Sequence, residues 1–204
     1  MSTQKTYLER PSKDDIALLP TFDGLDLSRV IIVDSADKAL LARSDIFSCS
    51  HVGFDTETKP NFTPGALQNN PCLVQLSTEN KAYLFTIENV TDVPQANDLL
   101  SDAVSSTELV KVGFGLKSDR LPMRKAFDVK LENTIDLSKV IRSFGYAHPV
   151  GLKAAVSIIL KKNFIKSKAL SKSNWARKEL SDQQKLYAAN DAYASLLVFI
   201  GLPK

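Results

Sequence analysis

Residues 51–60 read H-V-G-F-D-T-E-T-K-P, and the rest of the chain is best understood outward from them. A short apolar run ends in two carboxylates, Asp55 and Glu57, set two residues apart. A strand repeats its side-chain direction every second residue, so both acids project from one face and Thr56 points away from it. Like charges that close repel unless a cation or a proton lies between them. Hard divalent metals take oxygen ligands, which makes the pair a candidate half-site for Mg²⁺ or Mn²⁺. Read alone, the pair also suits the solvated end of a strand. Residues 59–71 follow with three prolines and a glycine, and are expected to form a loop that leaves the acids directly.

Upstream, residues 1–28 read as an N-terminal arm in front of a single domain over 29–204. Ser12 is placed to cap a short helix with Asp15 three residues on, and Pro20 with Asp23-Gly24 ends it in a turn. V-I-I-V from Val30 predicts a strand, and a helix is expected from Ala36 to about Ile46. Downstream, Cys72–Ser77 and Ala82–Phe85 predict two strands of a hairpin turning at Glu79-Asn80. Gln95–Val104 predicts a helix and Leu109–Phe114 a further short strand. Ser118 is expected to cap a helix running to about Phe127, with Leu137–Phe144 and Leu152–Lys162 as further helices. Ser181 opens the clearest one, D-Q-Q-K-L-Y-A-A-N-D-A-Y-A-S-L-L-V-F-I.

Two further acids draw attention. Asp119 follows V-G-F-G-L-K-S, where Gly113 and Gly115 permit a tight exit from a strand into the next helix. The helix dipole alone would favour an acid there. G-F-G-L-K-S lacks the third glycine of a dinucleotide fingerprint and no N-terminal strand–helix–strand unit surrounds it, so that reading is set aside. In the last helix Tyr187 and Asp191 are four residues apart, on one face and one turn from each other. That face flanks the apolar row Leu186, Ala189, Tyr193, Leu197 and Ile200. A carboxylate beside a buried stripe is costly unless a metal or a donor pairs with it.

The composition bounds what these acids serve. A chain of 204 residues, 44% hydrophobic and 24% charged, suits one globular domain with a sizeable core. No apolar run reaches membrane-spanning length and M-S-T-Q-K-T lacks the core of a secretory signal, so no membrane association is expected. Cys49, Cys72, His51 and His148 sit at no zinc-like spacing, and a reducing, cytoplasmic setting is expected. Residues 1–108 carry 8 Lys/Arg against 16 Asp/Glu, whereas residues 109–204 carry 18 against 7. Residues 151–178 hold eight of those cations and no acid. Such an imbalance favours a polyanionic partner, because each phosphate neutralised releases condensed counterions. A solvated basic face is the alternative.

D-T-E on a strand, G-L-K-S-D opening a helix, and Y-A-A-N-D late in the chain, in that order, resemble the DEDD superfamily of 3′–5′ exonucleases. The tyrosine four residues before the last aspartate resembles the DEDDy branch, with ribonuclease D and the Werner-type exonuclease domain. Flanking pieces extend the likeness over roughly residues 30–202: F-D-T-E-T-K-P, P-C-L-V-Q-L and S-N-W-A-R-K-E-L-S. The resemblance implies an α/β, ribonuclease H-like fold with a mixed five-stranded sheet flanked by helices. It implies two Mg²⁺ or Mn²⁺ ions, with Asp55 bridging them, Glu57 and Asp191 completing one site, and Asp119 supporting the other. Tyr187 would orient the attacking water. The implied partner is the 3′ end of single-stranded DNA or RNA, released as nucleoside 5′-monophosphates. Thr58, Phe62, Lys117, Lys166, Lys168 and Lys172 are the expected nucleic-acid contacts, Phe62 by stacking on a base.

Rival readings are weaker. A haloacid dehalogenase-type phosphatase needs D-x-D-x-T, and D-T-E-T places Glu at the second acid with no later acidic pair following a Lys at suitable spacing. A catalytically inactive nucleic-acid-binding module of the same fold has no use for clustered negative charge facing phosphates. Nothing in the sequence specifies an oligomeric state.

Overall fold

The computed structural model describes residues 7–60 and 69–203. Helix α1 (Lys13–Ala17) starts in the expected capping box between Ser12 and Asp15. A 3₁₀ turn over Leu27–Arg29 leads into β1 (Val30–Ile32), and Ser35 caps α2 (Ala36–Phe47). Strands β2 (His51–Thr58), β3 (Pro71–Ser77) and β4 (Ala82–Thr86) follow, then α3 (Ile87–Asp92) and α4 (Pro94–Ser105), which has proline in its first turn, where no N–H is needed. Next come β5 (Val110–Gly113), α5 (Arg120–Phe127), β6 (Thr134–Asp136) and α6 (Leu137–Arg142). The chain closes through α7 (Leu152–Ala155), a π-helical turn at Val156–Leu160, α8 (Lys168–Ser171) and α9 (Asp182–Ile200).

The strands form one mixed sheet in the order β1-β4-β3-β2-β5-β6. Strands β2, β3 and β4 are antiparallel neighbours, and β1, β5 and β6 join in parallel. The sheet therefore has six strands where five were expected. The addition is β6, three half-buried residues with no apolar run to announce them. Among the described residues, α3 and α8 were also not anticipated; both are short, six and four residues.

Each face of the sheet buries its own core. Val52, Phe54, Val74, Leu76, Tyr83 and Phe85 project to one side, against Ala39, Ala42 and Ile46 of α2 and Leu99, Leu100 and Ala103 of α4. Leu73, Leu84, Trp175, Ala188 and Ala189 meet on the other, where α9 crosses. Helix α9 also turns Ala194 and Val198 into a third cluster with Leu137, Ile141, Val150 and Phe164. It is thus enclosed on more than one side, which explains why its buried residues spread beyond a single stripe. Alanines line it where it lies closest to the sheet, and Gly53 of β2 completes the fit. A Cβ built on Gly53 would stand 1.9 Å from the Ala192 carbonyl oxygen.

The described part of the arm is stitched down rather than free. Leu8 bridges Tyr146 and Thr21 bridges Asn163, and the Leu25 amide donates to Asn190 Oδ1 of α9 at 2.7 Å. Ile16 and Leu25 are buried.

Candidate active site

Strand β2 delivers its acids as the period of 2 requires. Asp55 and Glu57 face α9, and Val52 and Phe54 face the opposite core. Asp191 comes down from α9, and one carboxylate oxygen from each of Asp55, Glu57 and Asp191 lies within 4.8 Å of the others. Opposite Asp55 across β3 stands Gln75, fully buried, with neither amide atom hydrogen-bonded. Asp191 Oδ1 is likewise buried without a hydrogen-bond partner.

Asp119 reaches the neighbourhood differently. Strand β5 pairs with β2 only as far as Gly53, and the chain then turns back beside the free stretch of β2. A Cβ on Gly113 would meet the Phe54 carbonyl oxygen at 2.5 Å, and Gly115 has a φ of +73°, so both glycines are required by that turn. Asp119, not Ser118, becomes the N-cap residue of α5. The Ser118 hydroxyl donates to the Gly115 carbonyl at 2.7 Å, while the Thr56 hydroxyl donates to Asp119 Oδ1 at 2.8 Å. Thr56 thereby ties the fourth acid to the strand that carries the first two, a role that only the strand's alternation hints at.

Lys166 is the main surprise. In the sequence it belongs to a basic stretch, yet its ammonium turns inward and lies 2.5 Å from Asp191 Oδ2 and 5.1 Å from the centre of the Tyr187 ring. Lys168 and Lys172 remain exposed, as does Lys117 in the turn before Asp119. Thr58 ends β2, half-buried and opposite Pro71. Phe62 lies outside the described residues. A cavity of about 510 Å³ opens onto Tyr187 and Asp191, walled by Leu25 of the arm, Phe164 and Leu170.

The electrostatics follow from placing several acids in a partly buried cluster. Burial, then the Asp191 charge, pushes the Asp55 carboxyl up to about 8. Burial, then Asp55 and Asp191, takes Glu57 up to about 9. Burial raises Asp191 to about 6, with the Lys166 ammonium holding it down. Burial also raises Asp119, against the Thr56 hydrogen bond. Burial works against the Lys166 ammonium, but the Asp191 carboxylate outweighs it and holds Lys166 above the ordinary lysine value. Burial, then the Asp191 charge, raises the Tyr187 hydroxyl, so it stays protonated near neutrality.

These shifts predict how stability depends on pH. A carboxyl whose pKa is raised on folding contributes stability that is complete below its unfolded value, near 4, and is lost as pH rises through its folded value. With a chelator present, the melting temperature should therefore fall from pH 5 through pH 8 and on towards 9, as Asp191, then Asp55 and then Glu57 ionise. Above pH 8 Lys111, which burial pulls down to about 8, works in the opposite sense and offsets part of the Glu57 effect. Mn²⁺ should raise the melting temperature more at pH 8 than at pH 5.5. Thermal denaturation along a pH series checks both, and a melting temperature that climbs from pH 5 to 8 in chelator would contradict them.

Three acids from two elements, an unpartnered buried carboxylate oxygen and an all-oxygen donor set fit a hard divalent cation. Residues 30–204 match the family model described as 3′-5′ exonuclease, and the chain belongs to that family. It is 35% identical over 150 residues to the mouse bifunctional 3′-5′ exonuclease/ATP-dependent helicase WRN, covering 72% of this chain and 10% of that protein. The crystal structure of the Aedes aegypti Nibbler EXO domain superposes with a TM-score of 0.72 at 26% identity, over 87% of this chain and 88% of that one. Trypanosoma brucei RNase D in complex with RNA U12 shares the fold, with a TM-score of 0.72 at 18% identity over 93% of this chain and 64% of that one. Among the described residues, no helix is long and apolar enough to cross a membrane.

Proposed function

We propose that the protein is a metal-dependent 3′–5′ exonuclease that hydrolyses phosphodiester bonds from the 3′ end of single-stranded nucleic acid and releases nucleoside 5′-monophosphates. The observation that carries this reading is the convergence of Asp55, Glu57 and Asp191 within 4.8 Å beside an unpartnered Asp191 oxygen. Such a cluster is costly unless positive charge enters it. Asp55, Glu57 and Asp191 would hold one ion of Mg²⁺ or Mn²⁺, and Asp55 with Asp119 a second. Bound ions of this kind supply Lewis acidity at the phosphoryl oxygens and a nucleophile at neutral pH.

The chain's own groups do the rest. The Tyr187 hydroxyl, protonated and one turn from Asp191, orients the water that attacks phosphorus. The phosphorus–O3′ bond of the penultimate nucleotide breaks, and its oxygen leaves with a proton from solvent. Thr56 fixes Asp119 in place through its hydrogen bond at 2.8 Å. The cavity beside Tyr187 offers apolar walls to the terminal nucleotide. RNA is the first substrate to test, because the Trypanosoma RNase D of the same fold is seen in complex with RNA.

One observation favours an inactive nucleic-acid-binding module instead: Lys166 already places an ammonium against Asp191. Digestion of 5′-labelled RNA and DNA oligomers with Mg²⁺, Mn²⁺ or EDTA separates the two. The expected result is a ladder shortening steadily from the 3′ end, abolished by EDTA. Release of a labelled mononucleotide from the 5′ end at the outset, or undiminished cleavage in EDTA, would overturn the exonuclease reading. Tight strand binding with no cleavage in either metal would establish the inactive one.

A further inference from the structure

Asp119 has a neighbourhood on its far side that the proposed reaction does not use. Strands β2, β5 and β6 run parallel, so their carboxyl ends lie along one edge of the sheet, with the acid cluster at the β2 end. Two strands away, about 10 Å along that edge, is a cavity of about 690 Å³ lined by Leu116, Lys117, Arg120, Thr134, Asp136 and Lys139, among others. Three cations from two elements meet there. Lys117 and Arg120 flank Asp119 on the β5–α5 turn, and Lys139 comes from α6.

The one acid in the lining is already engaged. Asp136 Oδ1 accepts from the Gly115 amide at 3.0 Å, the Ser138 amide at 3.1 Å and the Ser138 hydroxyl at 2.6 Å. These bonds pin the β5–α5 turn to the end of β6 and to the first turn of α6. They therefore hold the backbones that carry all three cations in fixed relation. Lys139 stands 3.8 Å from Asp136 Oδ2, too far for a hydrogen bond. Arg120, an exposed residue, gives one donor to the Thr134 hydroxyl at 3.1 Å. Glu132, whose charge Arg120 also feels, is paired with Lys130. The lining carries a net charge of +2 on exposed, oriented donors, beside a cluster of acids that repels phosphates.

We infer that the Lys117–Arg120–Lys139 cavity is a second contact point for the substrate, binding backbone phosphates of a nucleic-acid strand a few nucleotides from the acid cluster. The strand then runs along the carboxyl ends of β2, β5 and β6. Arginine and lysine suit this task, since they neutralise phosphates without reading base identity. The inference names where the proposed exonuclease grips its substrate, and so rests on that reading for its meaning. Its test is independent of cleavage.

The experiment measures binding of a fluorescent single-stranded octanucleotide in EDTA across a salt series. The proteins are the wild type, Lys117→Gln/Arg120→Gln/Lys139→Gln, and a control with equal charge loss elsewhere, Lys38→Gln/Arg43→Gln/Lys81→Gln. Melting temperatures confirm that each variant is folded. On a single strand, every phosphate that is no longer neutralised takes about 0.7 from the log–log salt slope. The cavity variant should therefore flatten the slope by about 1.5 to 2 and weaken binding by about 10- to 100-fold, while the control slope stays within error. An unchanged slope in the cavity variant, or an equal fall in both, overturns the inference. So does displacement of the strand by polyglutamate at comparable charge concentration, since that shows a site for anions at large. A flattened slope in a protein that cleaves nothing would sink the exonuclease reading and leave this site standing.

Discussion

Replacing Asp191 by asparagine is expected to lower the single-turnover cleavage rate by about 10³-fold or more, with the fold intact. Asparagine keeps the shape of aspartate and loses its charge. Asp191 is the one member of the cluster delivered by α9, and it is 2% exposed, held in place by the packing of that helix. Metal-assisted stabilisation of charge in phosphoryl transfer is worth several kcal/mol, and about 4 kcal/mol corresponds to 10³ in rate. Tyr187→Phe is the informative companion. It removes one hydroxyl and no charge, and should cost about 10²-fold, the scale of a positioning or proton-transfer group. Mn²⁺ titration calorimetry should show weakened binding in the aspartate variant and near-normal binding in the tyrosine one. Cleavage at the wild-type rate by Asp191→Asn would remove that residue from the metal site. The same result for Tyr187→Phe would reduce the tyrosine to a packing group against Trp175, 5.7 Å away between ring centres.

The second large effect is on stability. Gly53→Ala should destabilise the protein by about 3 kcal/mol, the upper part of the range for overpacking. The added methyl would sit 1.9 Å from the Ala192 carbonyl oxygen and 2.7 Å from its carbon, both backbone atoms of α9. No rotamer change can relieve a clash with a helix backbone; the helix itself must move off the sheet. Because Asp191 precedes Ala192, that movement should also separate Asp191 from Asp55. Chemical denaturation and Mn²⁺ affinity should therefore both suffer, whereas a cavity-forming change elsewhere, such as Leu99→Ala under α4, should lower stability alone. Wild-type stability for Gly53→Ala would show that α9 has room to shift and that the close approach is not a constraint.

Much of this was legible in residue order. The two-residue spacing of Asp55 and Glu57 and the four-residue spacing of Tyr187 and Asp191 are direct readings of strand and helix periods, and Ser181 announced α9. What escaped depends on tertiary partners. Strand β6 exists because β5 offers it a parallel edge, not because T-I-D is a strong strand sequence. The stretch Leu152–Lys162 reads as one α-helix, but V-S-I-I-L forms a π turn that ends at Lys161, with φ +53°. Ser118 looked like a cap because serine usually is one; the glycine turn before it diverted its hydroxyl. Lys166 belonged by composition to a basic stretch expected to contact nucleic acid, and only the burial of Asp191 beneath it explains its inward turn. Gln75 left a faint mark, a lone amide inside P-C-L-V-Q-L, without indicating that it would face Asp55.

The pairing of Thr58 with Pro71 has a consequence for how this protein can change over time. The two ends of the intervening stretch are joined through the β2–β3 ladder, so their separation does not depend on what lies between them. Closing a longer loop costs only about 0.6 kcal/mol for each doubling of its length. Residues can therefore be inserted or deleted between Lys59 and Asn70 without disturbing the register that sets Asp55 and Glu57. The chemistry is carried by a ladder that tolerates little, while the length of chain between its two strands is nearly free.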